Sequence, residues 1–285
     1  RLVSFVHSIA KVQSPGRNGG AAQRACMRRT CQALLMTSIA ASAPQKTVSF
    51  VRHGQAQHNI RAEALRDGGC AFDAFVAQMK VDDALDADLT DLGRAQAKEA
   101  GAAIDPALVD SVELLVASTL SRAIETAQLV FPTLAKSKRF VALEALREWN
   151  GVLLNAKRRP SHDLRLKFPD CDFDNVPAEE ESWDVDVNEG EPAVAARGFI
   201  ALEWLWARPE AHIAVVAHGG IYHALFSNAT LIEDSEDFLK QRFSNCEVRT
   251  ITLTRQGDAF VAVPQRTPQQ CLSRPSLANA QPLPN

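Results

Sequence analysis

Two histidines occupy matching positions in the sequence, each directly after an apolar run and directly before a glycine. His53 ends the run Thr-Val-Ser-Phe-Val-Arg-His at residues 47–53, and His218 ends Ile-Ala-Val-Val-Ala-His at residues 213–218. Apolar, β-branched runs of this length are typical of strands buried on both faces of a parallel sheet. Because ligands bind at the carboxyl ends of such strands, we expect both imidazoles to face one pocket.

Two further apolar runs also end in chemically active groups. Arg122 follows the second run, Glu148 follows the run at residues 139–146, and Arg52 directly precedes His53. If the strands are parallel, these groups gather at one edge of the sheet. Guanidinium groups match phosphate oxygens bidentately and stay charged at any working pH. The pattern therefore indicates a positively charged cup for a phosphoryl group, whose transfer depends mainly on positioning and on stabilisation of charge.

Five ordered blocks of residues together resemble the histidine phosphatase superfamily, which has the phosphoglycerate mutase-like fold. They extend from about residue 48 to residue 253, and a chance match of all five in this order is far rarer than a chance Arg-His-Gly. The blocks are Arg52-His53-Gly54 with Asn59, Leu89-Thr90-x-x-Gly93-x-x-Gln96-Ala97, Ser118-x-Leu120-x-Arg122-Ala123-x-x-Thr126-Ala127, Leu146-Arg147-Glu148, and Val216-Ala217-His218-Gly219-Gly220.

The resemblance implies a role for each matching residue. His53 is the nucleophile and becomes a phosphohistidine, which replaces one hard displacement by two easier ones. Glu148 is the general acid, with Glu144 one helical turn away as the competing candidate. The implied ligands of the phosphoryl oxygens are Arg52, Arg122 and His218, with Asn59 as a further donor. No cofactor and no metal ion is implied, because the arginines supply the positive charge.

The histidines also admit other interpretations. In isolation, His53 and His218 would be read as core histidines, and the flanking blocks argue against this. His58 and His223 each lie five residues after a catalytic candidate, which raises a metal site of four imidazoles. Two arginines beside such a site would repel a divalent cation, so we expect His58 to contact substrate or to face solvent.

The stretch from residue 150 to about residue 190 interrupts the alternation of strands and helices with prolines and acidic residues. Long irregular insertions in a compact domain are usually functional, and we interpret this one as a lid or specificity insertion. Its cations Lys157, Arg158 and Arg159 are predicted to bind a second anionic group of the substrate or to help to close the lid, with a solvated turn as the alternative.

The chain resembles a plant and fungal branch of phosphoglycerate mutase-like proteins in the run from Leu146-Arg147-Glu148 to Arg158-Arg159-Pro160 and in Phe168-Pro169-x-Cys171-Asp172-Phe173 beyond it. Cofactor-dependent mutases carry Arg-His-Tyr-Gly after the acid, whereas Trp149-Asn150-Gly151 stands here. That difference argues against mutase activity. The sequence therefore predicts a phosphomonoester hydrolase that acts on a phosphorylated small molecule. The alternatives are a phosphoglycerate mutase and a non-catalytic phosphate-binding protein.

The order of the apolar and amphipathic segments predicts a three-layer α/β/α domain with a mainly parallel central sheet at residues 46–263. We expect Thr90 and Ser121 to be helix N-caps and Pro192 to lie in a first helical turn. Predicted strands are 47–51, 113–117, 139–143, 213–217, 248–253 and 259–263, the last two as a hairpin. Predicted helices are 90–104, 121–130, 192–207 and 221–227.

Composition limits the partners and the location of the protein. A net charge of −3 gives no general attraction to nucleic acid or to anionic membranes, and no apolar stretch is long enough to cross a bilayer. The six cysteines are scattered without zinc-site spacing, which favours a reducing compartment and a cytoplasmic protein.

The two ends of the sequence differ from the domain in composition. Residues 1–45 contain no acidic residue and are rich in Arg and Ser, as in a mitochondrial or plastid transit peptide. The alternative is a mis-annotated start, with Met27 or Met36 as the true first residue. Residues 264–285 are rich in Pro, Gln and Ser and are predicted to be a flexible tail.

Overall fold

Parallel strands carry the catalytic candidates, as the apolar runs predict. The computed structural model describes residues 44–265 except 61–63, 66–67, 72, 75–76, 79–83, 138, 181 and 235. Most of the predicted leader and tail lies outside these residues. At the two boundaries, Gln45 already belongs to the first strand and Pro264 to the last, so the sheet begins and ends slightly beyond the predicted domain limits.

Seven strands form one sheet in the order β3-β2-β4-β1-β6-β7-β5. Strands β3, β2, β4 and β1 are parallel neighbours, β6 is antiparallel to both β1 and β7, and β5 is parallel to β7. The strands are β1 (Gln45–Arg52), β2 (Leu114–Ser118), β3 (Phe140–Leu143), β4 (His212–Ala217), β5 (Ile232–Asp234), β6 (Val248–Gln256) and β7 (Ala259–Pro264).

Helices cover the sheet on both faces. They are α1 (Asp91–Ala103), α2 (Pro106–Ser111), α3 (Ser121–Val130), α4 (Pro132–Ala135), α5 (Ser161–Lys167), α6 (Glu191–Ala207) and α7 (Gly219–Phe226), with 3₁₀ turns at Glu144–Leu146 and Leu154–Ala156.

Alternation along β1 shows how the three layers are built. The side chain of Phe50 packs into the apolar cluster that contains α6 and α7, whereas the next residue, Val51, packs into the cluster that contains α1 and α3. Successive side chains of a strand point to opposite faces, so a strand buried on both faces must be apolar throughout. The predicted three-layer α/β/α fold with a mainly parallel sheet is confirmed.

The six predicted strands and the four predicted helices all form, with ends shifted by no more than three residues, and the β6–β7 hairpin is present. Thr90 is the N-cap of α1, and its hydroxyl accepts from Gly93 N at 2.9 Å. The prediction that Ser121 caps α3 is wrong. The Asp86 carboxylate, from outside the helix, caps α3 instead. It accepts from Ser121 N at 2.8 Å and from Ser121 Oγ at 2.6 Å.

The loop after β1 and the start of α1 approach each other backbone to backbone. A Cβ added at Gly93 would lie 2.0 Å from Gln55 O, and one added at Gly54 would lie 2.6 Å from Gly93 O. Thr90 N donates to Gln55 O at 3.0 Å, and Gln55 N donates to the Gln96 side chain at 2.9 Å. These contacts fix the loop that follows His53.

No helix in the described part of the chain is both long enough and apolar enough to cross a membrane. Its three cysteines, Cys70, Cys171 and Cys246, form no disulfide.

We predict that Gly93→Ala lowers the free energy of unfolding by roughly 1–3 kcal/mol, because the new methyl group must push the backbone at Gln55 away. Activity should fall as well, since the displaced loop carries His53. Gly190→Ala is the matched control, because an added Cβ there meets only a proline carbon at 3.8 Å. Urea unfolding measures both variants, and equal stabilities would contradict the close approach.

Candidate active site

His53 follows the last residue of β1, at the carboxyl edge of the parallel strands. Its backbone N–H donates to Ala217 O at 3.0 Å, which ties it to the end of β4. The imidazole is 2 % exposed, and its centroid lies 5.0 Å from that of His218, with the rings inclined at 58°. As predicted, the two imidazoles lie close together at the carboxyl ends of neighbouring parallel strands.

One hydrogen bond determines which nitrogen of His53 is available. Nδ1 lies 2.6 Å from Gly54 O. A carbonyl oxygen can only accept, so Nδ1 carries the proton in the neutral ring and Nε2 keeps its lone pair. The nitrogen suited to nucleophilic attack is therefore Nε2.

His218 directly follows β4 and forms the N-cap of α7. Its Nε2 lies 2.7 Å from the hydroxyl of Ser118, and that hydroxyl accepts from Leu120 N at 3.4 Å. This arrangement favours Ser118 as donor to Nε2, which leaves the ring proton on His218 Nδ1. Nδ1 is buried and has no hydrogen-bond partner within the described structure.

Arg122 lies in the first turn of α3 and is fully buried. Its Nη1 donates to Asn155 O at 2.8 Å, while Nε and Nη2 have no partner among the described residues. Burial lowers the pKa of Arg122 to about 10, against the opposing effects of Glu148 and Asp86. The guanidinium therefore remains a cation at neutral pH with donors left for a ligand.

Arg52 directly precedes His53 in the sequence, and its guanidinium contacts a backbone carbonyl. Its Nη1 donates to Phe243 O at 3.0 Å, and its side chain is 6 % exposed. Together, Arg52 and Arg122 lower the pKa of the His53 imidazole beyond the larger effect of burial.

The side chain of Glu148, a residue between β3 and the insertion, contacts the N-terminus of α7. Its carboxylate accepts from Gly220 N and Ile221 N, each at 3.1 Å, and from Trp149 N at 2.9 Å. A Cβ at residue 220 would lie 2.2 Å from Glu148 Oε1, so the second glycine of the His-Gly-Gly block leaves room for this carboxylate. The helix end positions Glu148 next to His218.

Glu144, the competing acid candidate, is held in a different environment. Its carboxylate accepts from Thr119 Oγ1 at 2.8 Å and pairs with Arg147 at 2.9 Å and with Arg158 at 3.2 Å. The carboxylate of Glu144 is thus engaged by one hydroxyl and two arginines, whereas that of Glu148 contacts the backbone at the end of α7.

Arg197 on α6 supports the segment that carries Glu148. Its guanidinium donates to Ala145 O at 3.1 Å, to Arg147 O at 2.7 Å and to Glu148 O at 3.1 Å, and it pairs with Glu189 at 2.7 Å. The sequence analysis did not single out Arg197. It lies in a helix interior, where nothing in the spacing distinguishes it from a solvated arginine.

The three cations of the insertion do not form a group. Lys157 lies over the Trp183 ring at 4.6 Å from its centroid, and Arg159 lies 3.7 Å from the Asp86 carboxylate. Arg158 is 2 % exposed and donates to the carbonyls of residues 159, 177 and 179. Lys157 and Arg158 thus contact residues of the insertion and Arg159 contacts a residue outside it, and the role of the three in substrate binding stays a prediction.

Asn59 and His58 lie in the loop after His53, and both are buried. Asn59 Oδ1 accepts from Ala56 N at 3.2 Å, which leaves its amide N–H groups as donors. The His58 ring centroid is 6.3 Å from that of His53. The expectation that His58 faces solvent is wrong, since its side chain is only 5 % exposed.

The four-imidazole metal site does not form, because His223 is exposed on α7 and lies beside Ser227. Within the described residues, no three His, Cys, Asp or Glu side chains are arranged to hold a metal ion.

A separate hollow of about 490 Å³ lies at the amino-terminal ends of β1 and β4, away from these residues. It is lined in part by His212, whose ring nitrogens are both satisfied, by Ser49 at 2.9 Å and by Ser111 at 2.8 Å. The hollow lacks the arginines and the unsatisfied donors of the histidine site.

With the geometry established, comparison with known proteins identifies the family. The histidine phosphatase superfamily (branch 1) matches residues 48–265, and this chain belongs to that superfamily. It is 32 % identical over 240 residues to Phosphoglycerate mutase-like protein 1 of Arabidopsis thaliana, covering 73 % of this chain and 81 % of the relative. The predicted family and its plant-type branch are confirmed.

Two further comparisons are of the same kind. The chain is 29 % identical over 243 residues to the Phosphoglycerate mutase-like protein of Arabidopsis thaliana, covering 75 % of this chain and 86 % of the relative. Among solved structures, a mycobacterial glucosyl-3-phosphoglycerate phosphatase aligns over 78 % of this chain and 98 % of its own, with 20 % identity and a TM-score of 0.47.

Burial lowers the pKa of four histidines. The pKa values of His53, His58 and His218 lie well below 6.5, with Arg122 as the next largest cause, and that of His212 is lowered to about 4. Burial raises the pKa of Asp86 to about 6. Unfolding below pH 6.5 therefore takes up protons on the histidines, and this uptake is partly offset by one proton released from Asp86.

We predict that the free energy of unfolding falls as the pH drops from about 6.5 towards 5, because the unfolded chain binds protons that the folded chain excludes. Each histidine contributes a slope of roughly 1.4 kcal/mol per pH unit in this window. His212→Gln should reduce the slope by the share of one histidine. Urea unfolding at several pH values measures it, and an unchanged slope would show that His212 titrates normally in the folded state.

Proposed function

We propose that this chain is a phosphomonoester hydrolase that works through a phosphohistidine on His53. The observation that carries the proposal is the hydrogen bond from His53 Nδ1 to Gly54 O, which leaves the Nε2 lone pair directed away from the backbone in a pocket shared with His218. The proposed substrate is a phosphorylated small molecule, held through its phosphoryl group by Arg52, Arg122, His218 and Asn59.

In the first step, His53 Nε2 attacks phosphorus and the bond from phosphorus to the ester oxygen breaks. Glu148 gives its proton to the departing oxygen, so the alcohol leaves neutral. In the second step, Glu148 takes a proton from water, the water oxygen attacks phosphorus, and the bond from phosphorus to Nε2 breaks. Inorganic phosphate leaves, and both His53 and Glu148 return to their starting protonation states.

Arg52 and Arg122 supply the positive charge that this scheme requires. Phosphoryl transfer places charge on the equatorial oxygens, and preorganised donors in a buried site stabilise that charge without reorganising at the moment of reaction. Arg122 has two unsatisfied N–H-bearing nitrogens in a fully buried position, which supports this role.

Hydrolysis is favoured over mutase activity by the segment after Glu148. Trp149 donates from its indole nitrogen to Glu189 O, and Gly151, with φ +88°, packs against the carbonyl of Val187. This segment is thus occupied by contacts within the insertion and offers no cation for a second anionic group of a phosphoglycerate.

We predict that brief incubation with a ³²P-labelled phosphomonoester gives acid-labile, alkali-stable label on His53, and that His53→Ala gives neither label nor turnover. His223→Ala, which changes an exposed histidine, is the control and should label normally. Activity in His53→Ala above a trace would remove it as the nucleophile. A wild-type chain that binds phosphate without labelling would support a non-catalytic protein.

Isomerisation of 3-phosphoglycerate that outpaces phosphate release would favour the mutase, so both products are measured in the same assay. The mutase must retain the released phosphoester and exclude water, which the hydrolase need not do.

We predict that Glu148→Gln slows hydrolysis of alkyl phosphates by about 10²- to 10⁴-fold while nitrophenyl phosphate loses far less, because a good leaving group needs little protonation. Glu144→Gln is the matched variant and should affect both substrates alike through the positions of Arg147 and Arg158. Selective loss on alkyl phosphates in Glu144→Gln instead would assign the acid to that residue.

A further inference from the structure

Five of the buried side-chain nitrogens that lack a hydrogen-bond partner in the described part of the chain belong to Arg122 and to three other residues. They are Nε and Nη2 of Arg122, Nδ1 of His58, Nδ1 of His218 and Nδ2 of Asn155, while an oxygen of Asp234 is among the other such atoms. Folded proteins leave few such atoms, because an unsatisfied buried donor loses its hydrogen bonds to water without replacement. Their concentration at one place indicates a ligand with several acceptor atoms.

Asn155 is placed beside Arg122 by its own backbone. It lies in the 3₁₀ turn Leu154–Ala156 of the insertion, is 1 % exposed, and its carbonyl accepts from Arg122 Nη1 at 2.8 Å. The backbone of Asn155 is therefore adjacent to the guanidinium, and its side-chain amide nitrogen is buried without a hydrogen-bond partner in the described structure. No motif or spacing in the sequence distinguishes Asn155 from its neighbours.

His58 reaches the same place from the loop after β1. Its ring lies 6.3 Å from that of His53, and after burial the charge of Arg122 lowers the pKa of the His58 imidazole most. Burial and these neighbouring cations keep the imidazole neutral. A neutral imidazole carries one N–H and can donate it to an oxygen.

We propose that His58 Nδ1 and Asn155 Nδ2 donate hydrogen bonds to the phosphoryl group, as neutral contacts additional to the arginines and His218. This inference rests on the proposed function, because it concerns the same bound group. It assigns the phosphoryl oxygens two donors from segments that lie nearly one hundred residues apart, the loop after His53 and the insertion.

These donors add hydrogen bonds without adding charge. A third and a fourth cation beside His53 would be repelled by Arg52 and Arg122, whereas neutral donors avoid that repulsion. The proposed contact from Asn155 would also connect the insertion directly to the bound phosphoryl group.

The test measures two quantities on each variant, the Kd for orthovanadate and for inorganic phosphate, and the melting temperature without ligand. His58→Leu and Asn155→Leu should each weaken anion binding by about 10- to 100-fold, the effect of losing one hydrogen bond to a charged group. Their melting temperatures without ligand should stay unchanged or rise, because each removes an unsatisfied buried polar atom. Controls are His223→Leu and Asn188→Leu, both at exposed positions.

A purely structural role predicts the opposite pattern. If the melting temperature falls together with the affinity, the two side chains act as internal supports and the inference is overturned. Asn155→Asp gives a further check, because it keeps the size of the side chain but places an acceptor where the phosphoryl oxygens lie. Its anion affinity should fall more than that of Asn155→Leu.

Arg122→Leu separates this inference from the proposed function. If the wild-type chain binds vanadate, Arg122→Leu loses binding, and the His58 and Asn155 variants bind like wild type, only this inference fails. If the wild-type chain binds neither vanadate nor phosphate, the proposed function fails and the inference fails with it.

Discussion

The hydrogen bond from His53 Nδ1 to Gly54 O is the interaction on which the rest of the site depends. It selects the reactive nitrogen, and much of the surrounding structure keeps its geometry fixed. Gly54 N donates to Thr126 Oγ1 at 3.1 Å, and the backbone of α1 presses on the same loop at Gly93. The Leu-Thr-x-x-Gly and Arg-Ala-x-x-Thr blocks therefore position the carbonyl partner of His53, the proposed nucleophile.

Electrostatics join the two functions that this pocket must combine. Burial, and after it the charge of Arg122, lowers the pKa values of His53 and His218 and keeps both imidazoles unprotonated, and an unprotonated imidazole is the form that attacks phosphorus. The same burial leaves donors without partners around Arg122, at a cost to the stability of the folded chain. A bound anion would accept hydrogen bonds from these donors and offset the loss of stability, so stability and function should depend on the same few atoms.

Sequence patterns predicted the strands, the main helices and the meeting of His53 with His218, because buried parallel strands need apolar runs and their ends share one edge. They missed contacts made by single residues between distant segments. Asp86 caps α3 from outside, and Arg197 holds the backbone around Glu148, yet neither position has a distinctive local spacing. The role predicted for the insertion's cations remains a prediction, and the sequence pattern did not indicate that Arg158 would donate to the carbonyls of residues 177 and 179.

The most direct test of this account is the tautomer of His53, read from ¹⁵N chemical shifts and long-range ¹⁵N–¹H couplings in histidine-labelled protein, with His53→Gln to assign the signal. The account predicts a neutral ring at pH 7 with the proton on Nδ1 and a bare Nε2. A ring protonated on Nε2, or an imidazolium at that pH, would contradict it.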